Sequence, residues 1–384
     1  MTPDEVTGWC ASLGMPKFRA KQILEWVYRR GVADPGLMSN LSKLDRRTLA
    51  ERMTFISGET LTEQLATDGT RKLLVEWRDG DEQPTSSLPI LNPGGGDPTR
   101  QTECVMIPAT DGTRRTACIS SQVGCPVGCR FCASGMGGLD GNLSAGRIVE
   151  QVWLLDRLVR QAGSGSLRGM ENTDGGVLEP GKGITNVVFM GMGEPLSNFR
   201  AVVQAVRTLA APWGMGISAR KITISTVGMH RAIERLADEL DLPVTLALSL
   251  HAPNDGLRRE LIPWAEFTTI DQLFTACRKW FDKTGREITL EYTLLRGVND
   301  RETHAAELAG VAKRLRANVN LSRYNEVGGV PYKRPETEDV RRFQEILRAK
   351  GLNVHIRASR GRDIAAACGQ LRHESAGEER VGSA

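Results

Sequence analysis

Between about residues 118 and 365, short apolar runs rich in β-branched residues alternate with longer stretches whose apolar positions recur at helical spacing. The runs VVFMG (187–191), KITIST (221–226), VTLALSL (244–250), EITLEYTLL (287–295), NVNLSRY (318–324) and NVHIRAS (353–359) predict strands. Helices are expected at 144–161, 198–210, 229–240, 268–284, 301–316 and 336–350. Strand and helix alternating in this way predict parallel βα units, hence an α/β class. Several chemistry-bearing residues follow the ends of these runs, where α/β barrels place their sites.

The first part of the chain reads differently. Phe18 to Arg30 carries Phe18, Ile23, Trp26 and Val27 at helical spacing, with Gly31 as a stop, and Ser42 is placed to cap a further helix with Asp45 in its first turn. Residues 61–117 carry two Asp-Gly turns, at Asp68-Gly69 and Asp111-Gly112, each between β-rich runs, and each predicts a hairpin. The expected organisation is a helical N-terminal unit (1–60), a β-hairpin extension (61–117), a core (118–371) and a frayed tail (372–384), with a Gly-rich insertion at 163–183.

Composition narrows the class. Of 384 residues, 40% are hydrophobic and 25% charged, which excludes disorder throughout, and no apolar run approaches a membrane span. The N-terminus MTPDE has neither a basic start nor an apolar core, so no secretory signal is expected and the protein is read as cytoplasmic. Net charge is +4, and residues 341–384 hold nine Lys or Arg against five Asp or Glu, which accounts for that whole surplus. Such a basic region suits a phosphate-rich ligand as well as an ordinary solvated helix face.

The cysteines carry the chemistry. Eight cysteines in a reducing compartment are not a disulfide framework. Cys125, Cys129 and Cys132 form C-x3-C-x2-C, and Gly124 and Gly128 let the backbone come close to whatever they hold. Thiolates hold iron–sulfur clusters, and three of them on a cubane leave one iron open to a small molecule. Zinc is the competitor, but a structural zinc site usually takes four ligands from paired C-x2-C units, and no second pair is present. Cys10, Cys104 and Cys277 are expected to be small buried hydrophobes.

With Phe131 before its last cysteine, this motif resembles that of the radical S-adenosylmethionine (SAM) enzymes. The resemblance implies a partial (β/α)6 barrel and a 4Fe-4S cluster that binds the amino and carboxylate groups of SAM. Gly191-Met-Gly193-Glu194-Pro195 follows a predicted strand and resembles the segment that receives the SAM amino group, with Gly193 and Glu194 as contacts. A serine or histidine at a strand end is ordinarily satisfied locally; Ser225, Ser249, Leu250 and His251 resemble the family's ribose- and carboxylate-contacting strand ends. Asn325 is similar to a further SAM contact, although the Glu326-Val327 after it departs from the usual Pro/aromatic stretch.

Cys118 in CISSQVGCPVGCRFC and Cys368 in RGRDIAAACGQL narrow the resemblance to the adenine-C2 RNA methyltransferases that act on 23S rRNA and tRNA, over nearly the whole chain. The resemblance implies that Cys368 takes a methyl group from one SAM, that a second SAM supplies the radical, and that the methyl carbon is joined to adenine C2. Cys118 then resolves the adduct, leaving a disulfide, and Glu103 accepts the C2 proton. It also implies a flavodoxin- or ferredoxin-type reducing system, a monomer, and an N-terminal unit that helps grip RNA. Arg341, Arg342, Arg348, Lys350, Arg357, Arg360 and Arg362 are candidate phosphate contacts. Two other readings stay open here: methylation of the same rRNA adenine at C8, and a non-catalytic RNA-binding protein braced by a metal.

Overall fold

The computed structural model describes residues 2–78, 100–162 and 183–364. The expected insertion (but for Gly183), the tail and Cys368 lie outside the described residues. Three helices open the chain: α1 (Pro3–Ser12), α2 (Arg19–Leu24), which widens into a π-turn over Glu25–Arg29, and α3 (Lys43–Arg52). Ser42 caps α3 by accepting the Asp45 N–H at 3.0 Å, as its position predicts. Val6, Cys10, Ile23, Trp26 and Leu49 form a separate small core. The unit is tied to the rest of the molecule by Trp153 Nε1–H donating to the Val27 carbonyl at 2.9 Å and by Arg157 donating to the Gly31 carbonyl at 3.0 Å.

Two hairpins follow. They comprise β1 (Gly58–Leu65) with β2 (Arg71–Trp77), and β3 (Gln101–Pro108) with β4 (Arg115–Cys118). Asp68-Gly69 and Asp111-Gly112 lie in their turns, with Gly69 and Gly112 at positive φ. A short pair, β5 (Gln122–Gly124) with β6 (Leu139–Asn142), brackets the cysteine loop and a single turn α4 (Ala133–Met136).

The rest alternates as expected. In chain order it runs α5 (Ala145–Ala162), β7 (Asn186–Phe189), α6 (Phe199–Ala210), β8 (Ile222–Thr226), α7 (His230–Glu239) and β9 (Thr245–Ser249). Then come α8 (Asp255–Leu261), α9 (Ile270–Thr284), β10 (Ile288–Leu294), α10 (Glu302–Ala312), β11 (Ala317–Arg323), α11 (Thr337–Ala349) and β12 (Val354–Ile356). The sheet order is β1-β2-β3-β4-β7-β8-β9-β10-β11-β12, antiparallel up to β4 and parallel from there on. Sequential parallel neighbours with helices between them wind one way round, which is the partial (β/α)6 barrel that the resemblance implies. The hairpins continue that sheet at its edge, so Leu73, Val75 and Cys104 share one core with Val187, Ile224 and Leu290.

Side chains alternate across the sheet. Ala117, Phe189, Ile222, Leu248, Tyr292 and Leu321 are buried beneath the helices. The opposite, concave face is polar: Ser225 meets Ser249 (Oγ to Oγ 3.3 Å), Thr293 meets Ser322 (3.1 Å), and Asn320 donates to Glu291 at 3.0 Å. A polar inner face opposite a helix-covered apolar one leaves the concavity for a ligand.

Candidate active site

The thiol loop starts where β5 ends. Gly124 takes φ 75°, and a Cβ there would lie 2.1 Å from the Gly138 carbonyl oxygen. That same oxygen accepts the Cys125 N–H at 2.7 Å and so closes the loop. Gly124→Ala is therefore expected to destabilise the fold by about 1–3 kcal/mol from the backbone conformation alone, read as a lower thermal midpoint. Further on, Cys132 N–H donates to the Cys129 carbonyl (3.1 Å) and Arg130 N–H to the Leu261 carbonyl (3.0 Å) at the end of α8. Val127 and Ala133 pack with Val227, Leu295 and Tyr324, the residues just beyond β8, β10 and β11. The loop therefore lies across the C-terminal ends of the strands.

Burial pushes the Cys125 thiol up to about 12 and Cys129 well above the usual thiol range. Charge on neighbouring cysteines pushes both the same way, which places the three sulfurs within reach of one another's fields. Three thiolates here need positive charge brought by what they bind. Among the described residues no group of three or more His, Cys, Asp or Glu side chains is gathered to hold a single ion. In a cluster each thiolate takes its own iron, so the donor set fits that group.

The strand-end residues meet this loop. His251 is the only non-glycine residue at positive φ (56°) among the described residues. A strained backbone is typical of functional positions. Its Nδ1 accepts the Thr293 N–H at 3.0 Å, and its ring meets Phe131 of the thiol loop edge-on, centroids 5.1 Å apart. Burial, with the charge of Arg258 beside it, holds the imidazole down at about 3. His251 is thus neutral, with its proton on Nε2, and acts as a fixed donor. Glu194 is buried and joins two strand ends: its carboxylate accepts N–H groups from Leu196 (3.0 Å) and Val227 (2.7 Å). Burial raises its pKa against those hydrogen bonds and that from Thr226. Gly193 at φ 98° lets this turn press on Gln122, whose Oε1 accepts the Glu194 N–H at 2.8 Å. Leu250 is fully buried in the core, and the Asn325 side-chain oxygen accepts from Arg334 at 2.7 Å.

Cys118 ends β4. Ala117 faces the helix-covered core, so Cys118 points to the concave face. It pairs with Val105, and Glu103 lies two residues along on that same face of β3. Glu103 is buried beside Lys72 of β2, Nζ to Oε1 3.6 Å, with both side chains almost fully covered. Lys72 was not expected. Its only trace in the sequence is a lysine in an inward register within RKLLVEW. Cys10, Cys104 and Cys277 are buried in apolar cores, as expected.

Most of the basic C-terminal residues whose side chains are described have partners within the chain. Arg341 and Arg342 pair with Glu338 and Glu302, and Arg348 donates to the Val354 carbonyl. Arg357 reaches Glu291 at 3.3 Å on the concave face. Arg360 contacts Asp68 and Thr110, and Gly361 N–H donates to Asp68 at 3.0 Å. The pairs of Arg341 and Arg342 are solvent-exposed and leave both side chains open to water. The later part of the stretch straps the chain after β12 to both hairpin turns, through Asp68 at the first and the Thr110 hydroxyl at the second, and the Thr67 N–H donates to Asp363 of the strap at 2.8 Å.

A wound parallel sheet with a C-x3-C-x2-C loop over its strand ends defines a radical SAM enzyme. The radical SAM superfamily profile matches residues 119–309, and the profile described as "ribosomal RNA large subunit methyltransferase N-terminal domain" matches residues 1–55. A solved radical SAM methyltransferase from Sphaerobacter thermophilus is 40% identical, with TM-score 0.83, covering 96% of this chain and 97% of that one. The probable dual-specificity RNA methyltransferase RlmN of Symbiobacterium thermophilum is 41% identical over 377 residues, 98% of this chain and 91% of that protein. The dual-specificity RNA methyltransferase RlmN of Dichelobacter nodosus is 38% identical over 372 residues, 96% of this chain and 92% of that protein. The chain belongs to this RlmN family of radical SAM RNA methyltransferases, whose cofactors are a 4Fe-4S cluster and SAM. Membership removes the reading of a non-catalytic RNA-binding protein. No helix among the described residues is long and apolar enough to cross a membrane.

Proposed function

We propose that this enzyme forms 2-methyladenosine in 23S rRNA and tRNA, in the cytoplasm and as a monomer, with electrons from a flavodoxin- or ferredoxin-type donor. The observation that carries this is the placement of Cys118 and Glu103 on one face, beside the concavity that the thiol loop caps. Adenine C2 is electron-poor and does not attack a sulfonium methyl group directly, so the carbon has to arrive by another route.

Cys125, Cys129 and Cys132 would hold the cluster, and the strand ends at Glu194, Ser225, Ser249 and His251 would line the SAM site. When bound, cluster and SAM supply a 5′-deoxyadenosyl radical, and a separate SAM supplies the methyl group, so two are used per turnover. Cys368 sulfur carries that methyl group. After it loses a hydrogen atom, its carbon bonds to C2, and Glu103 takes the C2 proton. One electron then has to leave the adduct, and the cluster, when bound, would be its acceptor. The Cys118 thiolate attacks Cys368 sulfur, the S–C bond breaks, a disulfide forms, and the methylene carbon takes a proton and leaves as the methyl of the nucleoside, the disulfide being reduced afterwards by the two electrons of the external donor. Cys368 lies outside the described residues, but the strap at 359–363 that leads to it is held at Asp68 and Thr67, in the turn of the β1–β2 hairpin. The target adenine has to be unstacked to expose C2, which favours looped RNA.

Protein loaded with iron and sulfide without oxygen, given SAM, reductant and either 23S rRNA or tRNA, is expected to yield 2-methyladenosine on nucleoside mass spectrometry. A product methylated at C8, or none from cluster-loaded protein, would overturn the reading.

A further inference from the structure

Arg258 is the largest cation buried without a carboxylate partner among the described residues near the thiol loop. It sits on α8, directly after the β9 strand end that carries His251, and its side chain is fully covered. One arm of its guanidinium, Nη2, donates to the Val227 carbonyl. Nε and Nη1 have no hydrogen-bond partner, and Arg258 makes no ion pair with a carboxylate among the described residues. Its helix neighbour Asp255 reaches it only through its field, making no ion pair, and accepts the Ile270 N–H at 2.8 Å. A buried guanidinium with two orphaned donors is costly unless something negative completes the site.

Three observations say where that negative charge belongs. Leu257 and Leu261, on either side of Arg258 in α8, pack in the same apolar cluster as Cys125, Cys129 and Phe131. The Arg130 N–H to Leu261 carbonyl bond ties α8 to the thiol loop between its second and third cysteines. Arg258 and Cys129 also lie within each other's electrostatic reach. Val227 links the other side, since its N–H goes to Glu194 and its carbonyl to Arg258.

We propose that Arg258 is the built-in counter-charge of the cluster, its unpaired N–H groups donating to the Cys129 side of the three-thiolate site and favouring the reduced, more negative form. The proposal rests on the cluster binding at Cys125, Cys129 and Cys132. Hydrogen bonds and charge from residues behind the ligands tune both metal affinity and potential.

The test compares reconstituted wild-type protein, Arg258→Lys and Arg258→Met by iron content after gel filtration and by redox titration followed by electron paramagnetic resonance. Arg258→Met is expected to retain iron on the order of tenfold less well and to reduce at a lower midpoint potential, with Arg258→Lys intermediate. Because Arg258→Met also changes the packing around α8, a second measurement uses the unmutated Arg258. Protein labelled with nitrogen-15 only at arginine guanidino nitrogens, in an Arg130→Lys background, is expected to show nitrogen-15 coupling to the reduced cluster. Unchanged potential and retention in folded Arg258→Met, or no coupling in the labelled protein, would overturn the assignment. Failure of the wild-type chain to take up iron would overturn the cluster site and this assignment together.

Discussion

Cys118→Ala protein incubated with SAM, reductant and RNA is expected to accumulate as a covalent protein–RNA species, completing no more than one event per chain. The concave-face position of Cys118, one strand over from Glu103, leaves every step up to bond formation at C2 untouched by the substitution. What the proposed route loses is the thiolate that would attack Cys368 sulfur, and no other described cysteine replaces it: Cys10, Cys104 and Cys277 are buried in apolar cores, and the remaining three form the loop. Burial pushes the thiols of Cys104 and Cys277 far up, the latter to about 12, so neither is a thiolate near neutral pH. A denaturing gel with labelled RNA, followed by nuclease digestion and mass analysis of the peptide, reads the adduct directly. Normal multiple turnover by this variant would remove the resolving role from Cys118.

Replacement of Cys129 by alanine is expected to abolish methylation below detection and to leave protein without iron or brown colour, while the melt of the metal-free chain changes little. The asymmetry follows from the electrostatics. Cys125 and Cys129 are held as neutral thiols in the absence of metal, because burial raises their pKa and each neighbouring thiolate would raise it further. Removing a neutral thiol costs packing only, whereas removing a thiolate leaves one iron without its ligand. The same raised values set a pH sign. Loading must displace thiol protons, so iron retention is expected to fall as pH drops, measured as iron per chain across a pH series. Full iron content in Cys129→Ala at neutral pH would mean that the cluster sits elsewhere.

Much of this architecture is written in local patterns. Each apolar run from VVFMG to NVHIRAS forms a strand within a few residues of its expected ends, and each amphipathic stretch between them forms a helix. That works because burial on one helical stripe, or on a strand covered by helices, repeats with the period of the element itself. Both Asp-Gly turns and the Ser42 cap are likewise short-range, and the C-x3-C-x2-C spacing places three sulfurs on one loop whatever surrounds it.

Other features depend on residues brought together from far along the chain. Parallel register sets Ser225 against Ser249 and Glu291 against Asn320. Burial keeps His251 neutral and a hydrogen bond from Thr293 puts its proton on Nε2, while two loop amides claim the carboxylate of Glu194. Glu291 on the concave face takes Arg357, and Asp68 in a hairpin turn takes Arg360, pairings that composition does not reveal. Lys72 beside Glu103, and Arg258 behind the thiol loop, are invisible to any periodicity, since charge burial depends on what packs over a position and not on its place in a repeat. Elements and ligand spacing are properties of neighbouring residues along the backbone; the charge state and partner of each side chain in the site come from contacts that exist only once the sheet has wound.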